Sequence, residues 1–191
     1  NTGVAALKVL KRNGVEVQHA YPGCCGMPFL EQADLNKVVN QAKKVSSDLL
    51  KWIEKGYRAW KGDLSTDYSL QEAGLSRFIK FGKEENFLGK AALEIERQRG
   101  IKKQFVTLIV SAGECDAPYM STLWKNGQIV GETTSGAWGY RTNSSIALGM
   151  IRSDLASAGT EIEVEIFGDR HNAVVQANGS IWDPLNERLR A

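Results

Sequence analysis

The side chains best suited to chemistry fall into two groups. The first is the adjacent pair Cys24 and Cys25, inside the loop Tyr21-Pro-Gly-Cys-Cys-Gly-Met-Pro28. Thiolates bind soft metals and exchange disulfides. Adjacent cysteines do not easily bridge to each other, and an iron–sulfur cluster wants about four thiolates. The third cysteine, Cys115, lies far along the chain. No iron–sulfur site is therefore complete within one chain. Two readings stay open for Cys24 and Cys25: a loop with two free thiols, or a redox or metal site bridged or shared with a partner.

The second group is aromatic, basic and acidic: Tyr57, Arg58 and Trp60; Glu72; and Trp138, Tyr140 and Arg141. Aromatic faces and a guanidinium can stack on a planar heterocycle, and a carboxylate can handle protons. Each has a structural alternative. Ser69-x-x-Glu72 has capping-box spacing, with Glu72 reaching back to the Ser69 N–H. Tyr57, Trp60 and Arg58 suit a domain-packing cluster with the arginine stem laid over it. Trp138 and Tyr140 suit the packing of a Gly-rich corner. His171 follows a turn and has no Asp or Cys neighbours at metal-ligand spacing, and His19, which precedes the Cys-Cys loop, is likewise read as structural. No Ser/His/Asp set, P-loop or Gly-x-Gly-x-x-Gly is present.

The elements that position these residues change character along the chain. Thr2 can cap a short helix with Val4, Leu7 and Leu10 on one face, ended by Asn13-Gly14. Val15 to Ala20 reads as a strand. From Asp34 the apolar spacing is helical through Leu49, Trp52 and Ile53, ending near Gly56. Asn86 to Arg99 reads as another helix, stopped by Gly100. From Lys103 the period drops to two. Phe105–Val110, Ser121–Trp124, Ile129–Thr134, Ser145–Met150, Glu161–Phe167 and His171–Val175 read as strands. Asn126-Gly127 predicts a two-residue hairpin turn, Ser135 to Tyr140 a corner, and Gly168-Asp169-Arg170 a further turn. The fold class expected is α+β. It comprises an N-terminal helical segment over 1–56, a middle α/β connector over 57–101, and a C-terminal antiparallel β-barrel over 102–191.

Composition sets outer bounds. The chain has 191 residues and a net charge of +2, which argues for neither nucleic acid nor an acidic membrane. Residues 1–56 carry 8 basic and 5 acidic side chains, and the rest carry 16 and 17. This charge step coincides with the change in periodicity. An odd cysteine count suits a reducing compartment, so cytoplasm is the default. No apolar run has transmembrane length. Residues 1–56 are too few to bury their own helices, which points to a homo-oligomer. The first residue is Asn1, inside a helical pattern, which suggests a fragment.

Two stretches resemble known families. Thr-Gly-Val-Ala-Ala-Leu-Lys-Val-Leu, then Cys-Cys-Gly-Met-Pro-Phe-Leu-Glu-Gln, resembles the cysteine-rich CCG domain over about 1–56. That domain occurs in heterodisulfide reductases and in the C subunit of anaerobic glycerol-3-phosphate dehydrogenase. The family's cysteines hold an iron–sulfur cluster with a downstream Cys-x-x-Cys that this chain lacks. The second resemblance is longer. It runs through Gly-Tyr-Arg-Ala-Trp-x-x-Asp-Leu, Glu-Ala-Gly-Leu, Asn-Phe-Leu-Gly-Lys-Ala-Ala-Leu, Gly127 to Gly136, Ser-Ile-Ala-Leu-Gly-Met and Val-Glu-Ile-Phe-Gly-Asp-Arg. Over about 54–191 the chain resembles the C-terminal part of the folate-dependent aminomethyltransferase module. That module is the glycine cleavage T-protein, and it also ends the dimethylglycine and sarcosine dehydrogenases.

The second resemblance implies tetrahydrofolate as cofactor and one-carbon transfer from an amine. It also implies that the catalytic Asp belongs to an upstream part, which becomes the missing partner of this segment. The family's folate-holding Arg, in a Leu-Arg-Leu-Glu-like run, is replaced here by Trp52-Ile53-Glu54. The resemblance therefore implies no catalytic residue and an inactive segment. Its folate-binding candidates are Tyr57, Arg58, Glu72, Trp138 and Tyr140. The word Glu54-Lys55-Gly56-Tyr57 fits the end of the CCG helix and also the approach to the Tyr-Arg-Ala-Trp motif, so the chain is expected to be a chimera of two parents, natural or assembled. The competing readings are a thiol or iron–sulfur redox module, and a partner-binding barrel built on the Trp138 corner.

Overall fold

The computed structural model describes residue 40 and residues 53–59, 62–113, 115–177 and 179–188. Cys24, Cys25, His19, Trp60 and the expected elements before residue 53 lie outside the described residues.

The chain's strongest period-two patterning closes into a barrel. Its strands are β1 (Lys103–Val110), β2 (Thr122–Lys125), β3 (Gln128–Gly139), β4 (Ser144–Arg152), β5 (Glu161–Ile166) and β6 (Asp169–Val175). The order around the closed barrel is β1-β4-β3-β2-β5-β6, and every pairing is antiparallel. Closure leaves no sheet edge unpaired. Alternate residues point inward: Val106, Leu108 and Val110 of β1 join Leu123, Val130, Ala147, Ile151, Ile162, Val164, Ile166, Ala173 and Val175 inside.

β4 is buried on both faces, from Ser145 to Ile151. Its other face, Ile146, Leu148 and Met150, forms a second core with Phe105 and Ile53, backed by Tyr68, Ala137 and Ile181. A strand covered on both sides needs a continuous apolar run, and Ile-Ala-Leu-Gly-Met-Ile is one. The second core joins the connector and the tail to the barrel wall.

Turn chemistry explains most boundaries. Asn126 and Gly127 have φ of 51° and 75°, the type I′ hairpin signature expected there. The β5–β6 hairpin turns at Phe167-Gly168, one residue earlier than the sequence suggests, because Asp169 and Arg170 already pair with Ile166 and Glu165. The helix α1 spans Lys90–Arg99 rather than 86–99. Gly89 has φ of 88°, which a helix interior does not accommodate. Phe87 and Leu88 therefore stand outside it. The expected corner over 135–140 is strand as far as Gly139, because a bulge between Thr133 and Ser135 lets β3 bend without ending. Trp138 therefore lies within β3, and Tyr140 follows it.

Phe167 holds φ of 51° with its ring exposed, a conformation that costs a non-glycine residue roughly 1–2 kcal/mol and that Asn tolerates better. Phe167→Asn is expected to raise stability by about 0.5–1 kcal/mol in a denaturant titration. An unchanged or lowered midpoint would show that the ring contributes what the backbone loses.

Candidate functional site

Glu54 and Lys55, adjacent in the chain, are buried polar residues whose partners lie far along the sequence. The Lys55 ammonium donates to the carbonyls of Trp182 (3.3 Å) and Asp183 (2.6 Å) and to Asn186 Oδ1 (2.7 Å). It also lies 3.7 Å from the Asp183 carboxylate, with both side chains 5% exposed. The Glu54 carbonyl accepts from the N–H groups of Ile181 (2.9 Å) and Trp182 (3.0 Å). Its Oε1 accepts from the Arg141 N–H at 2.6 Å, and its Oε2 is 3.5 Å from the Arg141 guanidinium. The Trp182 indole faces both cations, 4.2 Å from Arg141 and 5.3 Å from Lys55. The next residue, Gly56, has φ of 63°, and a Cβ there would run into the Gly179 carbonyl. Two residues thus fasten the connector, the β3–β4 turn and the tail together.

Arg58 and Glu72 meet at the start of β1. The Arg58 guanidinium stacks on the Phe105 ring at 4.3 Å. Burial pulls it below its ordinary value, while the Asp63 carboxylate acts in the opposite direction. Glu72 makes the reciprocal capping pattern its spacing predicts: Ser69 N–H donates to Oε2 at 3.2 Å and Glu72 N–H to Ser69 Oγ at 3.0 Å. It also receives the Lys103 N–H on Oε1 and the Phe105 N–H on its carbonyl. Asp63, 1% exposed, accepts from Ala59 N–H at 2.6 Å and from the Ser135 hydroxyl at 3.0 Å. These carboxylates hold chain segments in place.

Beside them is a recess of about 150 Å³ lined by Tyr68, Lys103, Glu132 and Thr134, among others. The Tyr68 hydroxyl donates to Glu132 Oε1 at 2.6 Å, and the Lys103 ammonium stands 5.2 Å from the Tyr68 ring centre. Burial, then the Glu132 hydrogen bond and charge, push the phenol above its ordinary range.

The sequence candidates are therefore divided. Arg58 and Glu72 come together at Phe105. Trp138 pairs across to Ser145 within β3 and β4, and Tyr140, 74% exposed, lies beside the Glu54–Arg141 pair. Tyr57 is 46% exposed, next to the hub. Lys55, Trp182, Tyr68 and Glu132 carry no local signal, since the partners that place them lie far away in sequence. Among the described residues, no group of three or more His, Cys, Asp or Glu could hold a metal ion. No described helix is long and apolar enough to cross a membrane.

Residues 103–179 match the family described as the glycine cleavage T-protein C-terminal barrel domain. The chain is 34% identical over 139 residues to human mitochondrial dimethylglycine dehydrogenase, covering 72% of this chain and 16% of that protein. It is 36% identical to mouse mitochondrial sarcosine dehydrogenase, again over 72% of this chain and 16% of the relative. An aminomethyltransferase of Prochlorococcus marinus (strain MIT 9313) is 35% identical over 68% of this chain and 34% of its own length. In fold, the chain is similar to the glycine cleavage system aminomethyltransferase T of Bartonella henselae (TM-score 0.65, 20% identity), covering 75% of this chain and 43% of that one. The barrel is therefore of the glycine cleavage T-protein C-terminal kind. The chain spans about a sixth of the two dehydrogenases.

Two outcomes follow from the geometry. Removing one partner of a buried ion pair typically costs several kcal/mol, so Lys55→Met is expected to lower unfolding free energy by about 3 kcal/mol. A loss under 1 kcal/mol would contradict the hub. Because the Tyr68 phenol sits above its unfolded value of roughly 10, its contribution is intact below that pH. It fades as pH rises towards the folded value. Phenolate absorbance should show a late alkaline step that Tyr68→Phe removes, and a titration unchanged by that substitution would contradict the assignment.

Proposed function

We propose that this chain serves as the C-terminal barrel portion of a folate-dependent aminomethyltransferase module. In such a module, a one-carbon unit on an amine passes to tetrahydrofolate. The observation that carries this reading is the barrel itself, matched over residues 103–179, with its connector fastened to it through Glu54 and Lys55. On this reading the proton-handling carboxylate and the folate-holding cation belong to an upstream part. That part is the segment's natural partner, and the segment alone turns nothing over. Tyr57, Arg58, Glu72, Trp138 and Tyr140 remain the candidates for contact with folate. The engagement of Arg58 with Phe105 and of Glu72 with Ser69, Lys103 and Phe105 favours positioning over chemistry.

We further propose that residues 1–56, with their CCG resemblance, come from a different parent than residues 57–191. Amplification of one continuous reading frame from source DNA would rule out an assembled join. The chain is also proposed to self-associate, which light scattering tests. The compartment follows the parent: the thiol count points to the cytoplasm, whereas two of the relatives are named mitochondrial.

The functional test is a graft. Residues 54–188 replace the corresponding part of the Prochlorococcus aminomethyltransferase. The hybrid is expected to bind a reduced folate within about tenfold of its parent, while the chain alone shows no turnover. A well-folded hybrid that has lost folate binding would contradict the reading, as would turnover by the chain alone.

A further inference from the structure

The helix α1 has two faces of different kinds. Its inner face is held by Gln71, whose Nε2 donates to the Leu93 carbonyl at 2.8 Å and to the buried Glu96 carboxylate at 2.9 Å. Arg97 reaches over the Phe81 ring, 5.2 Å from its centre, and the Lys90 ammonium donates to the Lys83 carbonyl at 2.9 Å. The opposite face carries Ala91, Ala92, Ile95, Gln98 and Arg99, all exposed. At the helical period these five share one side, with Ile95 at its centre. Ile95 is 60% exposed, and Leu88, just before the helix, is fully exposed. An amphipathic helix ordinarily turns its large apolar side chains to the core. Here two alanines flank an outward isoleucine, which leaves a shallow apolar strip that another helix can approach closely.

The charges at the two ends of this strip select its occupant. Arg97 and Arg99 lie in the last turn of α1, and Lys102 follows it. Glu84 and Glu85, both exposed, precede the helix, and the Lys90–Lys83 bond keeps their segment beside the first turn. The acidic and basic ends are separated by a ten-residue helix, about 15 Å of rise. Within the chain, Glu85 meets Lys83 at 3.0 Å and Arg99 meets Glu96 at 3.8 Å. Only Glu96 of these four is shielded from water, and exposed pairs contribute little and exchange readily. A second copy of α1 laid antiparallel brings the acidic end of each copy to the basic end of the other. It also opposes the two helix dipoles favourably. Ile95 of one copy then lies against Leu88 of the other, and the alanines meet at the crossing. Such a contact is isologous and closes at two copies. We propose that the outer face of α1 is the surface through which two copies of this chain pair, antiparallel. This rests on the self-association proposed above and names where it occurs.

A ten-residue helix offers far less than the roughly 800 Å² per partner of a stable dimer, so a weak dimer is expected, with a Kd of about 0.1–1 mM. Sedimentation equilibrium of the full chain across that range measures it. Ile95→Glu is expected to weaken pairing at least about tenfold, by placing a charge at the centre of the apolar strip. Glu84→Lys and Arg99→Glu should each weaken it several-fold. The two together should restore most of the affinity, because exchanging both signs rebuilds each cross-pair. In a mixture of labelled and unlabelled chains, filtered NOEs should join the Ile95 methyls of one copy to the Leu88 methyls of the other. Self-association unchanged by Ile95→Glu would overturn this surface and leave self-association itself standing. A chain still monomeric at about 1 mM would overturn both. A double charge exchange as weak as its single variants, with native spectra, would overturn the antiparallel arrangement.

Discussion

Burying an ammonium and a carboxylate side by side in the sequence sets a constraint that the rest of this structure answers. Glu54 and Lys55 are both withdrawn from water, and an unpaired ion in such a place costs several kcal/mol. Their partners come from more than eighty residues away: Arg141 for Glu54, and Trp182, Asp183 and Asn186 for Lys55. Neither ion is satisfied unless the β3–β4 turn and the tail are both in position. Trp182 links the two halves of the arrangement through its ring. The second core of Ile53, Phe105, Ile146, Leu148 and Met150 lies alongside, adding an apolar seam to the polar one.

That constraint bears on function. Glu72, the carboxylate the sequence offers for proton handling, is committed to architecture, as are Asp63 and Glu54. Glu72 closes a turn and receives the β1 N–H groups, Asp63 ties its loop to Ser135, and Glu54 holds Arg141. In this barrel of the glycine cleavage T-protein C-terminal kind, these carboxylates tie loops and the tail to the strands. The recess lined by Tyr68, Lys103 and Glu132 lies beside these ties, near the bulge where β3 bends.

Local patterns made much of this readable. Asn126-Gly127 announced its hairpin because type I′ geometry needs positive φ at both positions. Most barrel strands followed from period-two alternation, β4 from its continuous apolar run, and the Ser69–Glu72 box from its spacing. The misreadings have equally local causes. Gly89 delays α1, the bulge at Thr134 turns an apparent corner into strand, and Phe167 adopts a left-handed conformation its side chain does not advertise. The polar hub was not legible, since nothing near Lys55 in the sequence signals a partner 131 residues later. The recess was hidden for the same reason: its walls come from two separate loops, β1 and β3.

Native-state hydrogen exchange on the intact chain measures the central claim directly. The amides of Ile181, Trp182 and Arg141 all donate to Glu54. If Glu54 and Lys55 make connector, turn and tail one cooperative unit with the barrel, these amides open only with β4, at the same free energy as Leu148 and Met150. Opening of the tail amides several kcal/mol below β4, with the barrel still protected, would contradict it.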